Sequence, residues 1–155
     1  MRSIFTAFLL LCGLYALPAS AQEQRPLIGQ SWLTEKGKAR VAFSPCPTNG
    51  SRLCGSVVWL AEPNDKKTGQ PKTDVLNKNP KEKGRPIVGM TMVENFTWRD
   101  DAWRGGTIYD PESGERYNAT LQTDGRFELK VTGCVLFLCR AQRWTEPKME
   151  TRKTK

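Results

Sequence analysis

The side chains able to do chemistry in this chain are carboxylates, guanidinium groups and aromatic rings, because its 155 residues include no histidine. That absence removes Ser-His-Asp and Cys-His catalysis, histidine metal sites and histidine pH switching. Acid–base work would fall to carboxylates, lysines or tyrosines. The densest polar set is Asp74, Asn77 and Arg85, with Asp110 further along. One carboxylate, one amide and one guanidinium suit a polar or anionic small molecule, since a guanidinium grips carboxylate or phosphate through two parallel bonds. The same three residues suit equally well a network that pins a long loop over one end of the fold. Asp74 and Asp110 define an alternative, a carboxylate-dependent hydrolase of peptide or glycan bonds, because neighbouring carboxylates can split their pKa values. No standard catalytic constellation stands beside them, so the residues weigh toward binding rather than catalysis.

Four aromatics, Trp103, Tyr109, Tyr117 and Trp144, sit in strand-like runs beside glycines or a Pro-Gly turn. Rings so placed either line a barrel mouth and stack on a ligand or fill an ordinary core. Gly105-Gly106 inside such a run signals a bulge, or a close backbone approach to a neighbour or ligand. Asp110-Pro111-Glu112-Ser113-Gly114 reads first as a hairpin turn, with Asp to cap it, Pro at its second position and Gly to close it. Asp110 could also accept a hydrogen bond from Arg85 or from a ligand hydroxyl.

Residues 1–21 read as an export signal: Arg2, an apolar run from Ile4 to Leu17, and the small-residue site Ala19-Ser20-Ala21. The run is too short to span a bilayer, and no second apolar stretch follows. Cleavage would leave Gln22–Lys155 in the periplasm or secreted, with Cys46, Cys54, Cys134 and Cys139. An even cysteine set in an oxidising compartment reads as disulfides. Local pairing, Cys46–Cys54 and Cys134–Cys139, brackets two hairpin tips. Neither spacing is that of a zinc knuckle, and no metal or cofactor is implied.

The formal net charge is +8, unevenly spread. Residues 62–85 hold seven basic and four acidic groups, and residues 140–155 hold six and two. Such segments are mostly solvated, with weak affinity for anionic lipid or a cell-surface polymer as the functional alternative. No motif supports nucleic acid as a partner.

Positioning these groups falls to short strands punctuated by turns. Ile28–Thr34 and Lys38–Ser44 flank Glu35-Lys36-Gly37. Leu53–Leu60, Val88–Glu94, Phe96–Arg99, Trp103–Tyr109, Arg116–Gln122, Arg126–Thr132 and Leu136–Trp144 follow, with Thr123-Asp-Gly125 among the separators. Tyr117, Ala119 and Leu121 alternate with Arg116, Asn118 and Thr120; Phe127, Leu129 and Val131 alternate with Arg126, Glu128 and Lys130. Period two at regular spacing predicts an all-β fold with little helix. A single closed antiparallel up-and-down β-barrel of about eight strands is favoured over a sandwich, since closure removes exposed edges. The predicted organisation is signal peptide 1–21, barrel domain 22–147 and basic tail 148–155. Residues 62–86 form a long irregular segment, functional or simply an ordered surface loop. The apolar tip Val135-Leu136-Phe137-Leu138 is expected to fold inward and plug one barrel end.

Taken in order, these pieces resemble the exported bacterial domain-of-unknown-function family 2147. The resemblance rests on Trp32-Leu-Thr-Glu-Lys-Gly37, Leu53-Cys-Gly-Ser-Val-Val-Trp-Leu60, Thr73-Asp-Val-Leu-Asn77 and Gly84-Arg-Pro-Ile-Val-Gly89. It continues through Trp103-Arg-Gly-Gly-Thr-Ile-Tyr-Asp-Pro111, Ser113-Gly-Glu-Arg-Tyr117, Gly133-Cys134 and Trp144-Thr145. The Gly-Gly-x-Ile-Tyr-Asp-Pro block is the most specific part. Gly29 and Trp32 depart from the usual Gly-x-Trp spacing. The resemblance implies a small periplasmic barrel of lipocalin-like shape, no settled activity and no cofactor. The resulting expectation is a non-enzymatic barrel that binds a small apolar or amphipathic ligand or an envelope component, with Asp74, Asn77, Arg85, Trp103, Tyr109, Asp110, Tyr117 and Trp144 as candidate binding residues.

Overall fold

The structure, a computed structural model, describes residues 27–123 and 127–146. The expected signal peptide, the basic tail and the Asp124-Gly125 turn lie outside the described residues. Eight antiparallel strands close into one barrel in chain order. They are β1 (Ser31–Leu33), β2 (Ala39–Cys46), β3 (Asn49–Leu60), β4 (Thr91–Arg99), β5 (Ala102–Asp110), β6 (Glu115–Thr123), β7 (Glu128–Val135) and β8 (Leu138–Thr145). Leu33 pairs with Thr145 to close the ring. A single 3-10 turn, Glu35–Gly37, links β1 to β2. The sequence-based expectation of an all-β, up-and-down antiparallel barrel of about eight strands is therefore what the chain forms. Trp32 pairs with Val41 in the first hairpin, which fixes its register despite the unusual spacing from Gly29.

Up-and-down order puts alternate connections at the same end. The 3-10 turn, the 61–90 segment, the β5–β6 turn and the β7–β8 turn share one end. The β2–β3, β4–β5 and β6–β7 connections share the other. That second end is packed solid: Phe43, Leu53, Phe96, Leu121 and Leu129 are buried in one cluster with Trp32, Trp144 and Leu27. Truncating one of the two phenylalanines to alanine would cost about 3–5 kcal/mol. Cys46–Cys54 staples the β2–β3 hairpin at this end, and Cys134–Cys139 staples the β7–β8 hairpin at the other. On chain-entropy grounds, loops this short give about 2 kcal/mol per bridge.

Two expectations needed revision. The separate runs ending at Glu94 and starting at Phe96 are one strand, bent at Asn95, whose φ is 63°. Asparagine tolerates that left-handed conformation, and it turns Phe96 into the core. Gly105-Gly106 answers to both readings offered for it. Gly105, at φ 72°, sits where the β5–β6 register shifts, while a Cβ on Gly106 would lie 2.2 Å from the Phe96 ring and 2.4 Å from the Glu94 carbonyl oxygen. Phe127, expected on the inner face, precedes β7 and is exposed.

Candidate functional site

The end opposite the packed cluster opens into a cavity of about 960 Å³. Its wall is apolar: Ala39, Val57, Met92, Ile108 and Val131 face it, and Trp144 closes its floor where the packed half begins. The Trp144 ring lies 6.5 Å from Phe43, and its Nε1 donates to Gln142 Oε1 at 3.0 Å. Strand alternation explains the division, because one face of each strand must point inward. Large residues fill the inward positions at one end (Phe43, Leu53, Phe96, Leu121). Smaller or shorter ones stand at the other (Ala39, Val57, Gly133), so the sequence leaves space at that end.

The rim is charged. Lys38 Nζ donates to both oxygens of Glu112, at 2.7 and 2.8 Å. Lys72 pairs with Glu62 at 3.4 Å, and Arg140 with Glu35 at 3.9 Å. All six residues line the cavity. The hydrogen bond and charge of Glu112 hold the Lys38 amine above its ordinary pKa. An apolar wall under a polar rim accommodates a ligand with an apolar body and one polar end.

A second cluster lies outside the barrel wall. Ile108 and Asp110 face the cavity, so Tyr109 between them faces away, yet it is only 1% exposed because the 61–90 segment covers it. Its hydroxyl donates to Asp74 Oδ1 at 2.6 Å, and Asn77 Nδ2 donates to Asp74 Oδ2 at 2.7 Å. Arg85 Nε stands 3.6 Å from the same carboxylate oxygen, and its Nη2 3.2 Å from Glu82. Arg116, paired with Glu94 at 3.0 Å, lies 5.2 Å from the centre of the Tyr109 ring. Burial and the Asp74 carboxylate push the Tyr109 hydroxyl up to about 12. Asp74, Asn77 and Arg85 thus grip one another, and Asp74 also accepts from the Tyr109 hydroxyl on β5.

The sequence-predicted residues therefore separate. Tyr117 and Trp144 line the cavity, as does Asp110. Asp110 is also the turn cap, accepting from the Glu112 backbone N–H at 2.9 Å and the Ser113 hydroxyl at 2.8 Å. Trp103 sits in the packed half, edge-on to Trp98 at 5.4 Å. Tyr109, Asp74, Asn77 and Arg85 belong to the outer network. Asp74 and Asp110 serve different partners, one in the network and one in the turn, so the geometry lends the hydrolase alternative no shared proton. Among the described residues no three Cys, Asp or Glu side chains gather as metal ligands. Sequence reading missed Lys38, Glu112 and Ile108. The charged pair meets over 74 residues of chain, a contact that no local pattern announces.

The Val135–Leu138 tip differs from expectation. It stands outward at the cavity rim instead of plugging an end, because the β7–β8 ladder continues to Val135↔Leu138 and leaves only Leu136 and Phe137 to turn.

A family model described as "Uncharacterized protein conserved in bacteria (DUF2147)" matches residues 30–146. Among solved structures, protein HP1028 from the human pathogen Helicobacter pylori, described as belonging to the lipocalin family, is similar with a TM-score of 0.65. Identity is 18%, and the match covers 81% of this chain and 85% of that one. At that identity the likeness speaks to the fold alone. No curated protein matches the sequence.

Proposed function

The chain belongs to the bacterial family of uncharacterized proteins DUF2147, and from that premise we propose that it is an exported, non-enzymatic carrier whose barrel mouth holds a small apolar or amphipathic ligand. The observation that carries this reading is the half-filled barrel, with an apolar cavity of about 960 Å³ under a rim of ion pairs. That volume falls at the upper end of the roughly 300–1,000 Å³ typical of small-molecule pockets. Tyr117 and Trp144 offer ring faces to the ligand body. Lys38, Lys72 and Arg140 offer cations to a polar end. Two cystines, together with the signal-like residues 1–21, support an oxidising compartment outside the cytoplasm. Asp74, Asn77, Arg85 and Tyr109 act at a distance in this reading, by fixing the 61–90 segment beside the mouth.

Native mass spectrometry of protein purified from the periplasm, compared with the same sample denatured, tests the proposal. A co-purifying mass that leaves on denaturation is expected. A barrel that carries no added mass and takes up no apolar fluorescent probe would refute it.

A further inference from the structure

The cavity rim also bears the most exposed large apolar side chains of the described residues. Leu136, Phe137 and Leu138 are 90%, 87% and 73% exposed. They form a hairpin tip closed behind by the Cys134–Cys139 bridge and by ladder pairing up to Val135↔Leu138. A turn this short, tied by a covalent bond, has little freedom to fold back over its own barrel. The side chains are held in water, an arrangement that marks a contact surface. A second apolar pair, Val75 and Leu76, is exposed beside the same end, where the Leu76 backbone lies against Gly114 of the β5–β6 turn. Between and around these patches stand cations: Lys36 is exposed at the mouth, Lys38 and Arg140 are exposed there in pairs with Glu112 and Glu35, and the 62–85 segment carries seven basic against four acidic groups.

We propose that this rim docks on a lipid bilayer. The Val135–Leu138 tip enters the boundary between headgroups and acyl chains, the cations lie among anionic headgroups, and the cavity mouth faces the lipid. Lipid fits these features better than a protein partner does. The tip is convex, so a protein would need a matching pocket, whereas acyl chains adapt to any convex apolar shape. Two separate apolar patches bordering one end suit a planar partner. Without residues 1–21 and their Arg2 the chain has a net charge of +7 and is drawn to an anionic leaflet, and apolar insertion plus cationic attraction are the two terms that hold proteins at such interfaces. The docking inference goes beyond the carrier reading and stands on different atoms: Leu136 and Phe137 are exposed tip residues, whereas ligand uptake depends on the inner wall.

Vesicle flotation of the oxidised, signal-free full chain provides the test, using phosphatidylethanolamine vesicles with and without phosphatidylglycerol. The wild type should float with the phosphatidylglycerol vesicles, less so at high salt. L136S/F137S should weaken that binding at least about tenfold, because two inserted apolar side chains are removed. Its cystines and near-ultraviolet circular dichroism should be unchanged, since both positions are solvent-exposed. K36E/R140E keeps the tip and should lose the preference for phosphatidylglycerol. A wild type that stays in solution with both vesicle types would overturn the proposal, as would an L136S/F137S variant that floats undiminished. Self-association of the wild type through the tip, abolished in L136S/F137S and unaffected by vesicles, would assign the tip to a protein contact instead.

Discussion

Lys38 and Glu112 join opposite sides of the cavity mouth. Lys38 belongs to the β1–β2 connection and Glu112 to the β5–β6 turn, four strands away around an eight-stranded ring, yet Lys38 Nζ reaches both carboxylate oxygens within 2.8 Å. The pair is exposed, so it adds little to stability, typically about 0–1 kcal/mol. On the carrier reading proposed above its position gives it a kinetic role, because a ligand leaving the cavity would pass the pair. Glu112→Gln should speed release of a bound apolar probe several-fold while changing the denaturation midpoint little. Raising salt should speed release from the wild type and leave the variant unchanged, since exposed charges are screened. Stopped-flow dissociation measures both, and equal release rates at low salt would remove the latch.

Tyr109 should matter for stability and not for ligand affinity. Its hydroxyl is one of two hydrogen-bond donors to the buried Asp74 carboxylate. Tyr109→Phe leaves Asp74 Oδ1 without that donor, at a cost of about 1–3 kcal/mol in chemical denaturation. The pH dependence has a definite sign. The fold favours the neutral phenol, raising it from 10.0 to about 12, so its contribution is complete below pH 10 and falls away as pH rises toward about 12. Groups common to both proteins cancel in the difference between wild type and Tyr109→Phe, which should shrink over that interval. A constant difference would mean that the phenol titrates alike in the folded and unfolded chain, and that burial and Asp74 do not raise it.

Ile108 faces the middle of the cavity from β5, in register with Val93 and Tyr117 on the flanking strands. Ile108→Trp would place an indole where the ligand body is proposed to sit. Apolar-probe affinity should drop more than about tenfold, while vesicle flotation persists because the rim is untouched. Loss of both would mean that the barrel had deformed. Undiminished probe binding would move the ligand elsewhere.

The barrel was legible in the sequence where alternation was clean. Tyr117, Ala119 and Leu121 on β6 and Leu129 and Val131 on β7 all lie inward as period two requires. Both cystines followed from pairing neighbours across hairpin tips. The candidate site was harder to read. In Gly106-Thr-Ile-Tyr-Asp110 two apolar residues are adjacent, so the pattern alone does not say whether Ile108 or Tyr109 faces in. The structure sends Tyr109 outward because a polar segment distant in sequence supplies Asp74 to its hydroxyl. The tip at 135–138 misled for a related reason. Apolarity predicts burial, but a covalently closed turn has no room to fold inward.

Gly106 is where local sequence and distant packing meet most tightly. The bend at Asn95 sends Phe96 across to β5, and the ring and the Glu94 carbonyl oxygen together occupy the space a side chain at position 106 would need. A ring can rotate aside, but a strand carbonyl cannot without moving the strand. The Glu94 side chain also holds Arg116 at 3.0 Å, and Arg116 covers the Tyr109 ring, so displacement of β4 would reach the outer network. Gly106→Ala should therefore cost about 3 kcal/mol, the upper part of the usual range for overpacking, and should weaken protection of the Tyr109 region in hydrogen exchange. Gly50→Ala is the matched control, because nothing lies within 4 Å of a Cβ there. Equal urea midpoints for the two variants would mean that β4 and β5 separate easily, and the rigid wall assumed for the cavity would go with them.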